Sequence, residues 1–182
     1  INTTNFTSGQ RFTLATIVTT PTISGTVFLN NSTSTYAVAD TVRVLVNGVS
    51  EGTGSINTLT GAYTVNVATL PADGAIITAY IDGGASTAAT ITLHDGVTNF
   101  LTGVNLYVDT LTIASATSTA VTDTMLGNGH NGDADLTAIY ASSTSLTIAS
   151  GKDLRIESGD QFTPANAVVV GDDAVVNGTF TL

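Results

Sequence analysis

The chain has 182 residues, of which 42% are hydrophobic and only 10% are charged. Its net charge is −10, and its four cationic side chains are scattered, so no cationic face is available to neutralise the phosphates of a nucleic acid. An anionic membrane surface would repel the chain as well, and no apolar run is long enough for a membrane-inserted helix. Nucleic acid and membrane insertion are therefore not expected.

Threonine is abundant and stands mostly beside valine, isoleucine, alanine or serine. β-branched residues fit a pleated sheet and crowd a helix, so the composition predicts an all-β fold. We expect a β-sandwich module followed by a second region of short strands. The chain has no cysteine, which excludes disulfides and thiolate metal sites.

Residues 1–20 form a predicted N-terminal arm. Phe12, Leu14 and Val18 fall on one face of an extended chain there, and Pro21 separates the arm from the predicted sandwich. One interpretation is an ordinary first strand of the sandwich. The other is a donor strand that completes the sheet of a neighbouring copy, so that these three side chains would mediate assembly.

Residues 21–103 are predicted to be the β-sandwich. Alternating apolar residues at 42–46 and 63–67 indicate strands with one buried face, and Asn47-Gly48 favours a tight hairpin turn. The segment 75–81 is apolar on both faces and is the predicted central strand.

Residues 104–182 are predicted to be the second β-rich region. Residues 121–126 favour a single helical turn, and from residue 146 onward the predicted strands become shorter. The pattern fits either a hairpin meander or a partial β-solenoid. Leu-Thr-Ile-Ala-Ser occurs at both 111–115 and 146–150, which is weak evidence of a structural repeat.

Three segments carry a resemblance to a known family: Ser-Gly-Thr-Val at 24–27, Val-Arg-Val-Leu-Val at 42–46, and Leu-Thr-Gly-Ala-Tyr-Thr-Val at 59–65. Together they resemble the carboxypeptidase-regulatory-like, or CnaB-like, β-sandwich modules of large bacterial surface proteins. Residues 131–136, 146–151 and 158–162 resemble the stretch that often follows such modules in giant repetitive surface proteins. The resemblance implies an extracellular, cell-surface location, a structural or adhesive role, and no catalytic activity.

Asn131, Asp133 and Asp135 occupy alternate positions in a Gly- and Asn-rich segment. This spacing resembles the first half of a Ca²⁺-binding loop, in which hard oxygen ligands converge on the ion. The match is incomplete, because no glutamate occupies the twelfth loop position. The alternatives are therefore a Ca²⁺ site and an ordinary polar surface loop with no cofactor.

Groups suited to catalysis are few. His94 and His130 each lie in a Gly-rich turn and are predicted to be solvated, and no hydrolase elbow, metalloprotease pair or phosphate loop is present. The carboxylates available for a glycosidase-type pair are Glu51, Glu157, Asp172 and Asp173. We therefore expect a protein that is not an enzyme.

Two functions remain. The first is a structural subunit of an extracellular, pilus-like surface filament, whose partner is another copy of the same chain and which polymerises by strand exchange. The second is an adhesin or a glycan-binding module of a large cell-surface protein.

Overall fold

The structure, a computed structural model, describes residues 19–30, 32–115, 117–143 and 145–182. Within these ranges the chain forms sixteen β-strands and two short helices, which confirms the predicted all-β fold. The predicted arm residues Phe12, Leu14 and Val18 lie outside the described residues.

Nine strands occupy the part of the chain up to residue 113. They are Thr22–Phe28 (β1), Thr41–Val46 (β2), Val49–Ser55 (β3), Ala62–Asn66 (β4), Asp73–Asp82 (β5), Ala89–Asp95 (β6), Phe100–Leu101 (β7), Leu106–Tyr107 (β8) and Thr110–Ile113 (β9). The turn between β2 and β3 is the predicted hairpin, since Asn47 and Gly48 have φ angles of 50° and 77°. Both values are left-handed, as a tight turn between twisted antiparallel strands requires.

The remaining elements are shorter. They are Asp123–Asn128 (α1), Ala134–Thr137 (α2), Tyr140–Ser142 (β10), Leu146–Ile148 (β11), Asp153–Ile156 (β12), Gln161–Phe162 (β13), Val168–Val169 (β14), Ala174–Val176 (β15) and Thr179–Phe180 (β16). The helical turn predicted at 121–126 begins two residues later. Thr122 is the N-cap, and its hydroxyl accepts a hydrogen bond from the Met125 amide, which fixes the start of α1.

Two sheets face each other in the first part of the chain. The small sheet has the order β4-β1-β7, and β8 also pairs with β1. The central sheet has seven strands in the order β15-β12-β9-β6-β5-β2-β3. The neighbouring pairs β3–β2, β2–β5 and β5–β6 are antiparallel. The pairs β6–β9, β9–β12 and β12–β15 are parallel.

The central sheet separates two hydrophobic cores, and β5 contributes to both. Ile77, Ala79 and Ile81 point into the core shared with the small sheet. Ile76 and Tyr80 point into the core on the other face, beneath α1, α2 and the later strands. Successive side chains of a strand alternate between faces, so a strand between two cores must be apolar throughout. The predicted central strand at 75–81 therefore lies inside β5, as expected.

Apart from the antiparallel hairpin of β10 and β11, the later strands form coils of a β-solenoid and not a meander. β14, β15 and β16 each pair in parallel with a strand roughly 20 residues earlier in the chain, namely β11, β12 and β13. A meander would instead pair consecutive strands antiparallel. The predicted boundary between residues 103 and 104 lies in the link from β7 to β8, and the central sheet contains strands from both sides of it.

Candidate functional site

On one long side of the sandwich, two glycines of β3 allow this strand to pack directly against β4. A Cβ atom on Gly54 would lie 2.1 Å from the Thr64 carbonyl oxygen, and one on Gly52 would lie 2.8 Å from the Asn66 carbonyl oxygen. These distances are far inside van der Waals contact, so only glycine allows the β3 backbone to lie this close to β4. Here the central sheet covers the edge of the small sheet.

The opposite long side of the sandwich is an open edge. We call residues 99–108, which run parallel to β1 and include β7 and β8, the edge segment. The Thr22 amide donates to the Asn99 carbonyl, at 2.9 Å, and the Val104 amide donates to the Ser24 carbonyl, at 3.1 Å. Because backbone groups alternate along a strand, the N–H and C=O of Phe100 point away from β1. Among the described residues, no strand pairs with that outer side.

The edge segment is held in place across the sandwich interior. Tyr63 on β4 is buried, and its hydroxyl donates to the Val104 carbonyl at 2.5 Å. Burial raises the pKa of this phenol strongly, so it stays a neutral donor. A side chain on Gly25 would collide with the same carbonyl group, which explains why β1 has glycine opposite Val104.

A cleft of about 310 Å³ lies beneath the edge segment, between it and the central sheet. Its lining includes Thr92, Leu101, Tyr107, Thr112, Glu157 and Asp160. Thr112 is 1% exposed, and its hydroxyl has no hydrogen-bond partner. An unpaired buried hydroxyl is costly, so this group lowers the stability of the chain as it stands.

The charged groups of the cleft are largely paired. Arg155 donates two hydrogen bonds to the Glu157 carboxylate, at 2.8 and 3.3 Å, and its guanidinium lies 4.2 Å from the centre of the Tyr107 ring. Burial raises the pKa of Asp160 above its ordinary value. Apart from Glu157 and Asp160, the cleft is lined by hydroxyl, amide, glycine and apolar groups.

The structure does not bring the four predicted carboxylates together. Glu51 on β3 and Glu157 after β12 are five strand positions apart in the central sheet, or about 24 Å, well beyond a glycosidase pair. Asp172 and Asp173 precede β15 near the start of β12, because the Leu154 amide donates to the Asp173 carbonyl. Glu157 follows the other end of that strand.

The predicted metal ligands lie beside the end of β5. Asp133 and Asp135 meet Asp82 there, and one carboxylate oxygen of each residue lies within 4.8 Å of the others. The Asp135 carboxylate also accepts from the Gly83 amide at 2.7 Å. Asn131 lies close by, but its side-chain oxygen accepts from the Asp133 amide, at 3.0 Å.

We call Asp82, Asp133 and Asp135 the acidic cluster. The sequence alone missed Asp82, because it lies about fifty residues before the others in the chain and reaches them only through the fold. The available signal was an aspartate followed by two glycines at the end of a predicted strand. Arg43 on β2 binds Asp82 with an N–O distance of 2.6 Å, so one of the three carboxylates is already paired with a cation.

The prediction that both histidines are solvated is wrong for His94, which is 1% exposed. β6 continues to Asp95, so His94 belongs to a buried strand and not to the turn after it. Its Nδ1 accepts from the Gly96 amide, and its Nε2 therefore donates to the Thr98 carbonyl, at 3.0 Å. His130 is half-buried edge-on against Tyr140, and burial lowers its pKa.

No protein-family model, no curated protein and no solved structure matches the chain. The resemblance to CnaB-like modules therefore stays a prediction. None of the described helices is long and apolar enough to cross a membrane.

Proposed function

We propose that the protein is a structural subunit of an extracellular, pilus-like surface filament that polymerises by strand exchange. In this proposal the arm at residues 1–20 of one copy adds to the edge segment of the next copy. Phe12, Leu14 and Val18 are the side chains that enter the cleft of the acceptor. The partner is another copy of the same chain.

The observation that supports this proposal most directly is the open side of the sandwich. An incoming strand needs unpaired backbone groups, and the edge segment has them at Phe100. The other edge of the small sheet has no room for such a strand, because Gly52 and Gly54 bring β3 against β4. The small sheet therefore has one open edge among the described residues, and that edge is the edge segment.

The cleft adds a second argument. A strand that pairs with an edge directs alternate side chains toward the interior, and these need space below the edge. The cleft lies at that position, and the apolar side chain of Leu101 is part of its lining. Apolar side chains at positions 12 and 14 have the period that such a cleft accepts.

Glycan binding has less support from the same cleft. Sugars are usually held against an exposed aromatic face, and Tyr107 is the aromatic residue of the lining. Its ring is stacked on Phe28, with 5.3 Å between centroids, and the Arg155 guanidinium packs over it as well. The ring is therefore already engaged.

The first test is deletion of residues 1–20. The sixteen strands that the structure describes lie within residues 22–180, and the shortened chain is expected to fold and to remain monomeric. The intact chain is expected to form filaments. Negative-stain microscopy and size-exclusion chromatography measure the assembly, and circular dichroism measures the fold. Unfolding of the shortened chain would show that the arm is an internal strand.

The second test removes the backbone donor at the acceptor edge. Phe100→Pro deletes an outward N–H without touching the hydrogen bonds to β1, whereas Phe100→Ala removes the same side chain and keeps that N–H. We expect filaments from the alanine variant and none from the proline variant. Loss of assembly in both would mean that the Phe100 side chain matters and the backbone edge does not.

Val176→Pro is the matched control at another open edge. Val176 lies on β15, the last strand of the central sheet, and the Asn177 amide donates to the Ile156 carbonyl, so the neighbouring Val176 amide faces outward. Its side chain is 45% exposed, against 54% for Phe100. This variant is expected to assemble normally. If it fails while Phe100→Pro assembles, the acceptor is the last solenoid coil.

A mixing experiment tests donor and acceptor together. A chain without residues 1–20 can only accept a strand, and a Phe100→Pro chain can only donate one. Each alone is expected to be monomeric, and an equimolar mixture is expected to give discrete heterodimers by size-exclusion chromatography. A mixture that stays monomeric would contradict strand exchange at this edge.

A further inference from the structure

The acidic cluster is positioned by two separate parts of the fold, the end of β5 and the start of α2. Asp82 ends β5, Asp133 is the N-cap of α2, and Asp135 lies in the first turn of that helix. The Asp133 side chain accepts from the Asp135 amide at 2.9 Å, and Asp135 accepts from Gly83. These backbone contacts fix the directions of two carboxylates and leave other lone pairs of the same groups available.

The spacing of the three carboxylates suits one particular ion. Oxygens on opposite sides of a bound Ca²⁺ are separated by at most about 5 Å, twice a Ca²⁺–O distance of about 2.4 Å. The three oxygens lie within 4.8 Å of one another. Mg²⁺ binds at about 2.1 Å with strict octahedral geometry, so this spacing is wide for it.

The net negative charge of the acidic cluster also favours a divalent cation. Arg43 is the cation beside the cluster, and both of its contacts, at 2.6 and 2.8 Å, go to the same oxygen of Asp82. One positive charge against three carboxylates leaves about two negative charges uncompensated. Partly buried carboxylates at this separation repel one another unless a cation is present.

A buried hydroxyl beside the cluster gives the independent indication of a ligand. Tyr80 lies two residues before Asp82 on β5, so both side chains point to the same face of the sheet. Tyr80 is 0% exposed, and its hydroxyl has no hydrogen-bond partner. The Asn131 side chain and the Asp133 carboxylate lie close enough to affect its pKa, which burial raises to about 12, but neither satisfies it.

We propose that Asp82, Asp133 and Asp135 bind Ca²⁺, and that a water on the ion donates a hydrogen bond to the Tyr80 hydroxyl. The remaining coordination positions are filled by water. The ion connects the start of α2 to the turn between β5 and β6 and so ties the solenoid to the sandwich. The proposal is independent of strand exchange, because the cluster and the edge segment are different surfaces.

The test is a titration of the intact chain with Ca²⁺ alone, by isothermal titration calorimetry and thermal unfolding. Three carboxylates in a half-exposed site predict a dissociation constant on the order of 10⁻⁴ M. At about 10 mM Ca²⁺ we expect the melting temperature to rise by at least about 5 °C. Mg²⁺ at equal ionic strength is expected to give a much smaller rise. Equal rises with both ions would overturn the proposal, because they would indicate general charge screening.

Isosteric variants locate the binding. Asp135→Asn keeps an acceptor for the Gly83 amide and is expected to lose most of the Ca²⁺-dependent rise, as is Asp82→Asn. Asp172→Asn removes the same charge from an exposed residue of the last coil and is expected to keep the full rise. Circular dichroism without Ca²⁺ checks that each variant folds. A full rise in Asp135→Asn would overturn the assignment.

Tyr80→Phe gives a separate readout. Without Ca²⁺ this variant is expected to be at least as stable as the original chain, because it loses an unpaired buried hydroxyl. With Ca²⁺ it is expected to show a reduced rise in melting temperature. Destabilisation in the absence of Ca²⁺ would mean that the hydroxyl already has a partner and would contradict the proposal.

Discussion

Two neighbouring threonines, of which Thr112 lines the cleft, give a sharp test of the hydrogen bonding beneath the edge segment. Thr90 on β6 and Thr112 on β9 are direct register partners, and both are buried. The Thr90 hydroxyl donates to the Asn105 carbonyl, whereas the Thr112 hydroxyl has no partner. Valine has nearly the shape of threonine without the hydroxyl, so Thr→Val at each position isolates the polar group.

The expected effects have opposite signs. Thr90→Val leaves the Asn105 carbonyl without its donor and is expected to lower the free energy of unfolding by about 1–2 kcal/mol. Thr112→Val removes an unsatisfied buried group and is expected to raise that free energy by about 1 kcal/mol. The two variants should therefore differ by roughly 4–12 °C in melting temperature for a domain of this size.

The assay is urea unfolding of the monomeric fraction, followed by far-UV circular dichroism because the chain contains no tryptophan. The double variant Thr90→Val/Thr112→Val tests whether the two effects add, as they should if the hydroxyls do not interact. Equal destabilisation by both single variants would refute the reasoning. It would mean that the Thr112 hydroxyl already has a hydrogen-bond partner.

Two further substitutions test the framework around the sites. Gly54→Ala places a Cβ atom 2.1 Å from the Thr64 carbonyl oxygen and is expected to cost about 3 kcal/mol in urea unfolding. Thr53→Ala, on an exposed position of the same strand, should change stability by less than about 0.5 kcal/mol, and similar losses in both would contradict the close contact of β3 with β4. Asp123 accepts from the Asn166 amide, which lowers the pKa of its carboxyl below the ordinary 3.8. Its stabilisation is therefore present above pH 3.8 and lost as the pH falls through the lowered pKa, so Asp123→Asn should cost about 2 kcal/mol at pH 7 and progressively less in acid. A cost that does not change with pH would show that the charge of Asp123 is not what stabilises the fold.

Features set by neighbouring residues could be predicted from the sequence. The turn at Asn47-Gly48 follows from two residues that tolerate left-handed φ angles, and β5 follows from an apolar run that is buried on both faces. The pattern of apolar residues along a strand and the residue preferences of a turn can both be recognised without knowing which distant strands pair. The fold class was predictable for the same reason.

Pairings between distant strands could not be predicted. The recurring pentapeptide suggested that residues 111–115 and 146–150 are equivalent, but Leu111 pairs with Leu154 and Leu146 pairs with Val168. The solenoid repeat is therefore set by which side chains enter the core. The recurring pentapeptide does not indicate the positions of its coils. Asp82 was missed for a related reason, since its neighbours in the acidic cluster come from another part of the chain.

The open edge at residues 99–108 could not be predicted from the sequence either, although the glycines of the opposite side were visible. Gly52 and Gly54 alternate on β3, so they lie on one face and mark a strand that lies against another backbone. No such pair occurs along the edge segment, where the exposed Phe100 and the buried Leu101 follow each other. One side of the sandwich can therefore close by direct contact, while the other has bulky side chains and keeps a cleft. In the proposed strand exchange, the arm of one copy pairs with the edge segment of the next. Such a head-to-tail interface would extend into an unbranched filament unless its rotation closed a ring.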